Sequence, residues 1–315
     1  MRKITIIGAG NVGATIAYAL AVQAVANDIL LIDVREEKAI GEAMDIAQGS
    51  PFFPGGAYVH AGDYADAVDS DIVIITSGVA RKPGQTRLEL AQVNVNIMKS
   101  VAEQISRYAP NAIYLVVANP VDVMTHALHK YSNIPEKHII GSGTILDTAR
   151  LRSKIADLFD ISQQNVHAHV FGEHGDSSFV PWSQATISSV NIDNYREAFA
   201  AGHTIPEIDH DEIENHVRTS GAQIIKNKGA TFYAVAISAV HICKCIFSGN
   251  DTVMTVSSMM HGEYGIENLC LSILTVVGED GIKTRLPVQL TDEELAKLHR
   301  SANALRAVIE SVNLG

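Results

Sequence analysis

The residues best suited to acid–base chemistry lie in the middle of the chain, around one histidine. His174 stands in the sequence Gly-Glu-His-Gly-Asp and follows an apolar run over residues 166–171. Imidazole titrates near neutral pH, so it can give a proton to a carbonyl oxygen and take it back in the reverse reaction. We expect the apolar run to be a strand that delivers His174 to a cleft. A surface turn with a solvated histidine is the alternative.

A candidate partner for this imidazole lies in the segment Leu-Asp-Thr-Ala-Arg, which contains Asp147 and Arg150. A carboxylate close to a histidine raises its pKa and orients the ring, so Asp147 is predicted to contact His174. A guanidinium binds a carboxylate through two parallel hydrogen bonds, which makes Arg150 a candidate substrate ligand. The alternative for Asp147 is a helix-capping role at the start of the predicted helix.

Two more arginines, Arg81 and Arg87, enclose a polar loop of sequence Lys-Pro-Gly-Gln-Thr. One interpretation is a lid that excludes water and brings a cation to the carbonyl oxygen, and the other is a solvated surface turn. Asn119 precedes a proline at the end of a predicted strand over residues 113–117. Ligands of parallel sheets bind beyond such strand ends, so Asn119 could contact substrate or the cofactor carboxamide. A simple Asn-Pro turn has the same pattern.

The N-terminus carries a glycine-rich motif between an apolar strand and a helical stretch. The motif consists of Gly8, Gly10, Asn11, Val12 and Gly13. In this context the glycines permit a tight turn and let a pyrophosphate approach backbone N–H groups at a helix N-terminus. A second apolar strand over residues 29–32 ends at Asp33. A carboxylate there can accept hydrogen bonds from ribose hydroxyls and would repel a 2′-phosphate, which favours NAD over NADP.

The elements around these residues indicate an α/β fold. Predicted strands over 71–76 and 113–117, separated by a helix over 88–108, are typical of a parallel sheet with right-handed crossovers. After about residue 145 the pattern changes. Predicted helices lie at 148–160, 211–226, 230–247 and 291–312, with strand-like runs at 183–190 and 270–277. We predict a Rossmann-type doubly wound parallel sheet in an NAD-binding domain (1–145), and a C-terminal α+β substrate domain (146–315).

Composition narrows the function classes. The net charge of −11 over 315 residues argues against nucleic acid as a main partner. The sequence has no apolar run of about 18 residues, so no membrane span is expected, and the glycines make the N-terminus a strand and loop rather than a signal peptide. Three cysteines, Cys243, Cys245 and Cys270, lie in apolar surroundings and are expected to be reduced, as in a cytosolic protein. We find no convincing metal cluster.

Taken together, the motifs resemble those of the L-lactate/malate dehydrogenase superfamily. The motifs that carry the resemblance are residues 8–13, Asn-Pro-Val-Asp at 119–122, Leu-Asp-Thr-Ala-Arg at 146–150, Gly-Glu-His-Gly-Asp-Ser at 172–177 and Lys-Gly-Ala-Thr at 228–231. The resemblance covers essentially the whole chain and implies a cytoplasmic, NAD-dependent oxidoreductase of glycolysis and fermentation that assembles as a homotetramer.

The resemblance also implies a role for each site residue. His174 would be the proton donor and acceptor, and Asp147 its partner. Arg150 would bind the substrate carboxylate, while Arg87 on the lid would polarise the carbonyl. Asn119 and Thr231 would contact substrate, and Asp33 would bind the ribose. The implied reaction converts pyruvate, NADH and a proton to L-lactate and NAD, reversibly.

The choice between pyruvate and oxaloacetate depends on opposing signals. Glu173, the Trp182-Ser183 pair and Thr231 resemble the lactate type, whereas Arg81 stands where malate enzymes of the superfamily carry an arginine. An arginine left unpaired in a closed pocket costs several kcal/mol, so Arg81 would suit the second carboxylate of oxaloacetate unless it turns outward. We favour pyruvate, with malate dehydrogenase as the alternative.

Three further hypotheses complete the expectations. Arg152 and His167 match residues with which bacterial members of the superfamily bind fructose 1,6-bisphosphate across a subunit interface, although an ordinary interface arginine and a structural histidine fit equally well. A non-catalytic NAD-binding sensor would keep the glycine motif but would not need His174, Asp147 and both arginines together. A dinucleotide-dependent glycosidase would need metal ligands.

Overall fold

A computed structural model describes residues 2–79, 87–199 and 208–313 of the chain. Within these ranges the protein forms one nine-stranded sheet and a small three-stranded sheet. The strands are β1 (Lys3–Ile7), β2 (Asp28–Ile32), β3 (Tyr58–Ala61), β4 (Ile72–Ile75), β5 (Ile113–Val116), β6 (Ile139–Gly141), β7 (Val166–His167), β8 (Thr186–Ile187), β9 (Val190–Asn191), β10 (Thr252–His261), β11 (Glu267–Gly278) and β12 (Gly281–Arg285). The α-helices are α1 (Asn11–Val22), α2 (Glu36–Gln48), α3 (Arg87–Tyr108), α4 (Val121–Tyr131), α5 (Ile145–Phe159), α6 (Ile192–Phe199), α7 (His210–Lys228), α8 (Tyr233–Phe247) and α9 (Asp292–Ser311).

The large sheet has the strand order β12-β11-β10-β6-β5-β4-β1-β2-β3. Its six strands from β6 to β3 run parallel, and β1 pairs with β2 on one side and with β4 on the other. The chain therefore reverses its direction of travel across the sheet at β1, where loops diverge and leave a crevice at the carboxyl ends of the strands. The predicted doubly wound parallel sheet is confirmed, and the glycine motif lies at this crevice.

Two hydrophobic clusters cover the faces of the parallel strands. Strand residues alternate between them, so Ile4 and Ile72 pack on the face of α1 and α8, while Val73 and Tyr114 pack on the face of α3 and α4. Both faces of β1, β2, β4 and β5 are largely buried, which is why these strands are mostly apolar runs in the sequence. Among the described ranges, no helix is long and apolar enough to cross a bilayer.

The antiparallel strands β10–β12 extend the same sheet rather than forming a separate one. They join it through a single pairing of Ser257 on β10 with Gly141 on β6. A Cβ on Gly141 would lie 2.3 Å from Thr125 Oγ1 and 2.8 Å from Ser257 Cβ, so only glycine permits this approach. Sequence patterning does not reveal this continuity, because pairing between distant strands depends on tertiary packing.

Several predicted elements differ in the structure. The run over 166–171 is a strand only at Val166–His167, after which Phe171 makes one isolated bridge to Phe179. The run over 183–190 is a 3₁₀ turn followed by the two-residue strand β8, and the helix predicted from residue 230 begins at Tyr233. The run over 166–171 is mostly buried without continuous sheet pairing, which composition alone cannot distinguish from a strand.

The predicted C-terminal helix is present and its start signal acts as expected. The Thr291 hydroxyl accepts a hydrogen bond from the Glu294 N–H at 3.2 Å, and the Glu294 carboxylate accepts one from the Thr291 N–H at 2.9 Å. This capping box fixes the first turn of α9. The helix then packs Leu298, Ala302 and Leu305 against the sheet face that also carries Phe171.

Candidate active site

His174 and Asp147 form a direct pair at the centre of the site. The first turn of α5 carries Asp147, and the loop after Phe171 carries His174. Imidazole Nδ1 lies 2.6 Å from Asp147 Oδ2, with side-chain exposures of 29% for the histidine and 6% for the aspartate. The carboxylate favours a proton on Nδ1, so Nε2 is the nitrogen that can exchange a proton with a ligand.

The charges around the pair set its protonation. The negative charge of Asp147 raises the pKa of His174 to about 8, against the effect of burial and of the nearby Arg150. Burial alone would raise the pKa of Asp147, but the charge and hydrogen bond of His174, together with Arg150, hold that pKa below its ordinary value. At neutral pH the site therefore contains an imidazolium next to a carboxylate, which is the state needed to donate a proton.

Arg150 extends the pair into a triad of charged groups. Its Nη1 lies 2.9 Å from Asp147 Oδ1, and 15% of its side chain is exposed. One N–H group makes this bond, and a guanidinium has five, so the others can bind a ligand carboxylate. Helix α7 passes close by at Gly221, where an added Cβ would lie 3.6 Å from Arg150 Nη2. Sequence analysis did not single out Gly221, because a glycine within a helix has no distinctive pattern.

The backbone before His174 is held by contacts from two distant elements. Gly172 has φ +94° and exchanges two hydrogen bonds with Ser272 of β11, at 3.0 and 3.2 Å. The Glu173 N–H donates to the hydroxyl of Ser301 on α9 at 2.8 Å. A Cβ on Gly172 would lie 2.5 Å from that hydroxyl, so the glycine provides both the left-handed backbone and the space. Ser301 has no sequence signal beyond its place on an amphipathic helix.

Asp122 contacts the main chain of His174. The sequence analysis did not identify it as a site residue, although it is the last residue of the Asn-Pro-Val-Asp motif. Its Oδ2 accepts a hydrogen bond from the His174 N–H at 2.8 Å. The side chain lies in the first turn of α4 and the residue is 3% exposed. Burial raises the pKa of Asp122 to about 6. The motif, rather than any spacing rule, was the signal that could have identified it.

Asn119 lies at the end of β5, where the sequence predicted a ligand contact, and its peptide bond to Pro120 is cis. Its side chain is exposed, while its carbonyl accepts a hydrogen bond from Asn94 Nδ2 at 2.7 Å. Asn94 Oδ1 also accepts the Val79 N–H at 2.9 Å. The buried Asn94 on α3 thus ties the segment after β4 to the end of β5, a role that the sequence did not indicate.

The glycine motif has a distinct reason for each glycine. Gly8 has φ +107°, and a Cβ on Gly13 would lie 1.9 Å from the Gly8 carbonyl oxygen, so both positions require glycine for the turn and for helix–strand packing. Gly10 precedes α1, which Asn11 and Val12 begin, and a Cβ there would have no atom within 4 Å. The space above Gly10 is open to a group that approaches the N-terminus of α1.

Asp33 braces the glycine motif from the end of β2. Its Oδ2 accepts a hydrogen bond from the Ala9 N–H at 2.7 Å, and its Oδ1 accepts one from the Arg35 N–H at 2.9 Å. Each carboxylate oxygen can accept another hydrogen bond, so ribose hydroxyls can still bind here. Val34, the next residue, is fully exposed at the same edge. The exposed Val34 next to Asp33 offers an apolar surface on which the adenine ring of a dinucleotide can pack.

The remaining predicted residues lie at varied positions. Thr231 is half-buried, two residues before α8, and Arg87 is the first residue of α3, with its side chain outside the described part of the chain. Arg81 also lies outside the described residues. Arg152 Nε donates to the Ala168 carbonyl at 3.0 Å, whereas His167 is exposed on β7, and the described contacts include no hydrogen bond between Arg152 and His167.

The described residues contain no group of three His, Cys, Asp or Glu side chains that could hold a metal ion. The three cysteines are buried and none forms a disulfide.

Comparisons with known proteins identify the family of the chain. Residues 2–141 match the family model of the lactate/malate dehydrogenase NAD binding domain, and residues 144–313 match that of the lactate/malate dehydrogenase alpha/beta C-terminal domain. The chain is 42% identical over 314 residues to an L-lactate dehydrogenase of Thermoanaerobacter sp. (strain X514), covering 100% of both chains. It is also 42% identical over 313 residues to one of Clostridium perfringens (strain SM101 / Type A), covering 99% of this chain and 98% of the relative.

Solved structures give the same result. The ligand-bound minor L-lactate dehydrogenase from Enterococcus mundtii has a TM-score of 0.95 and 36% identity, with 100% of this chain and 99% of that chain covered. An L-lactate dehydrogenase from Clostridium thermocellum has a TM-score of 0.88 and 39% identity, with 99% and 100% covered. With both family models matched along nearly its whole length, the chain belongs to the lactate/malate dehydrogenase family.

Proposed function

We propose that this protein is an L-lactate dehydrogenase, which interconverts pyruvate and L-lactate with NAD as its cofactor. The observation that carries the proposal is the 2.6 Å contact between His174 and Asp147, with Arg150 on the other carboxylate oxygen of the same aspartate. This arrangement offers a proton donor and a carboxylate-binding cation side by side, which are the two groups that a 2-keto acid needs. The relatives named above are L-lactate dehydrogenases and do not favour the malate alternative.

The mechanism follows from the charges of the site. Bound NADH supplies the hydride that adds to the keto carbon of pyruvate. His174 donates its Nε2 proton to the carbonyl oxygen, which becomes the hydroxyl of lactate, and Asp147 stabilises the imidazolium before this transfer. Arg150 binds the substrate carboxylate and fixes the orientation of the keto group. Arg87, Asn119 and Thr231 complete our proposed substrate contacts. In lactate oxidation, neutral His174 accepts the proton.

The pKa of about 8 for His174 gives the two directions opposite pH dependences. Pyruvate reduction needs the protonated ring, so its kcat/KM falls as the pH rises through that value. Lactate oxidation needs the neutral ring, so its kcat/KM rises over the same range.

The glycine motif fits the pyrophosphate of NAD, with Asn11 and Val12 supplying backbone N–H groups and Asp33 facing the ribose. We expect Gly10→Ala to leave the free energy of unfolding nearly unchanged but to weaken NADH binding, because the new methyl group fills only the open space above α1. Gly13→Ala should lower the free energy of unfolding by about 1–3 kcal/mol, because its Cβ overlaps the Gly8 carbonyl.

Urea unfolding and NADH fluorescence titration measure these two effects separately. Gly41→Ala on α2 is the matched control, since a Cβ there also has no atom within 4 Å. Equal NADH affinity in Gly10→Ala and in the wild type would contradict a pyrophosphate site at this position.

The choice of substrate is tested by measuring kcat/KM for pyruvate and for oxaloacetate. We expect pyruvate to be preferred, because the relatives to which the chain is 42% identical are L-lactate dehydrogenases. Arg81, the residue that favours the malate alternative, lies outside the described residues. A tenfold or greater preference for oxaloacetate would overturn the choice of substrate.

We also propose that the chain divides into two domains near residue 145 and that it assembles as a homotetramer. In this tetramer, fructose 1,6-bisphosphate would bind at Arg152 and His167. The half-buried guanidinium of Arg152 beside His169 supports an anion site in this region. The three buried cysteines, none of which forms a disulfide, support a cytoplasmic location. Adding the bisphosphate to the assay above should lower the pyruvate KM. An unchanged KM and unchanged tetramer stability would contradict the effector hypothesis.

A further inference from the structure

Asp122 is a buried carboxylate in contact with the histidine loop, yet none of the proposed catalytic steps uses it. Its Oδ2 accepts the His174 backbone N–H at 2.8 Å. Its Oδ1 is buried, and the Ser257 hydroxyl of β10 acts on the carboxylate without the alignment of a full hydrogen bond. A carboxylate that is 3% exposed and half-satisfied costs free energy, since burial disfavours its charged form. A side chain that served only to fill this space would be better apolar.

His174 consequently stands between two carboxylates that act on different atoms. Asp147 contacts the ring at Nδ1, whereas Asp122 contacts the main chain of the same residue. The first contact sets the ring's orientation about its own side-chain bonds. The second contact fixes the backbone position of His174. It also places a second negative charge near the imidazolium.

We propose that Asp122 is a positioning residue that keeps His174 in place and helps to keep it protonated, so that catalysis requires the ionised form of Asp122. This inference rests on the proposed dehydrogenase function, since it concerns the proton donor of that reaction. Asp122 acts through His174 and does not touch the substrate in this proposal.

The electrostatic surroundings support a carboxylate that changes charge in the working range of pH. Burial raises the pKa of Asp122 to about 6, while the Ser257 hydroxyl and His174 lower it and Glu173 raises it. Cys270 of β11 also faces Asp122, and its own pKa is raised well above the ordinary value, so it stays neutral. The charge of Asp122 in turn contributes to the raised pKa of His174, after that of Asp147.

The two ionisations predict a bell-shaped profile for pyruvate reduction. The limb near pH 8 reports loss of the His174 proton, and kcat/KM falls above it. The limb near pH 6 reports protonation of Asp122, and kcat/KM falls below it because a neutral carboxyl accepts the His174 N–H more weakly and holds the residue less firmly. The histidine alone cannot produce the acidic limb, because it only becomes more protonated as the pH falls. Asp147 cannot produce the acidic limb either, because its pKa is lowered from the ordinary value and the group stays ionised near pH 6.

The test compares pH profiles of kcat/KM for the wild type, Asp122→Asn and Asp122→Ala. The asparagine keeps an oxygen that can accept the His174 N–H but removes the charge. We expect Asp122→Asn to show at every pH the lowered kcat/KM that the wild type shows below its acidic limb, so that this limb disappears, and to move the basic limb to lower pH by about one unit. Above the basic limb that shift lowers kcat/KM by about a further tenfold. Asp122→Ala removes the hydrogen bond as well and should lower kcat further at every pH.

A second measurement follows His174 directly. NMR titration of histidine-labelled protein gives the pKa of the His174 ring, identified by its absence in His174→Asn, and we expect this pKa to fall in Asp122→Asn. Asp71→Asn is the matched control. Asp71 also accepts a backbone N–H, that of Lys3 at 2.7 Å, but it lies at the amino end of β4, away from the carboxyl ends of the parallel strands. Its profile and ring pKa should equal those of the wild type.

Unchanged limbs and an unchanged ring pKa in a folded Asp122→Asn variant would overturn the proposal. If that variant does not fold, Ser257→Ala decides the question. Losing the hydroxyl destabilises the carboxylate, so the acidic limb should move to higher pH, and an unmoved limb counts against the proposal. A wild type that reduces no 2-keto acid would refute the proposed function, whereas the NMR titration would still test Asp122.

Discussion

Replacing His174 by asparagine is expected to lower kcat for pyruvate reduction by about 10³-fold while NADH binding is unchanged. The variant removes the only proton donor that Asp147 polarises in the described site, but leaves the glycine motif and Asp33 untouched. Asparagine cannot release a proton at neutral pH, so the pH dependence near 8 should disappear together with the activity. Steady-state kinetics measure the loss of kcat, and NADH fluorescence titration measures the affinity for the cofactor.

His60→Asn is the matched control, because His60 also contacts an aspartate, Asp28, at 2.8 Å, but on the outer strands β2 and β3. That variant should retain wild-type turnover. A His174→Asn variant with nearly full activity would favour the alternative of a non-catalytic NAD-binding protein, in which this residue has no chemical role.

Arg150→Lys is expected to reduce kcat/KM for pyruvate by roughly 100-fold, mainly through a higher KM. Lysine keeps the positive charge near Asp147, so the protonation of His174 is largely preserved. It cannot, however, make two parallel hydrogen bonds to a carboxylate. Losing a well-paired buried charge contact costs about 3 kcal/mol, which corresponds to this factor.

The measurement is a comparison of KM and kcat for pyruvate, with NADH affinity as a check on the cofactor site. Arg306→Lys is the control, since Arg306 donates to Asn303 within α9 and has no part in the site. A KM equal to that of the wild type in Arg150→Lys would show that the substrate carboxylate binds elsewhere.

Much of the N-terminal half could be predicted because its determinants are local. The strands are short apolar runs, the glycines mark the turn, and Asp33 ends the second strand. These features depend on backbone conformation and on the pattern of apolar residues, both of which are visible in a short stretch of sequence. The capping box at Thr291 and Glu294 is local in the same way.

The second half was predicted less well because its apolar runs are buried by distant partners. The run before His174 is held by single bridges, from Phe171 to Phe179 and from Gly172 to Ser272, instead of a continuous strand. Nothing in the neighbouring sequence specifies such isolated contacts. The continuation of the sheet from Gly141 to Ser257 depends in the same way on two segments that are far apart in the chain.

The sequence by itself determined which chemical groups the protein has and the local turns that carry them: an imidazole, carboxylates, guanidiniums and a phosphate-type glycine motif. Only the tertiary structure decided that Asp147 lies at 2.6 Å from the His174 ring and that Asp122 accepts the backbone N–H of the same residue. No spacing in the sequence indicated the second contact. The reason is physical. A pKa and a hydrogen bond depend on distance and burial in space, and these are set when helices α4 and α5 pack against the loop after Phe171.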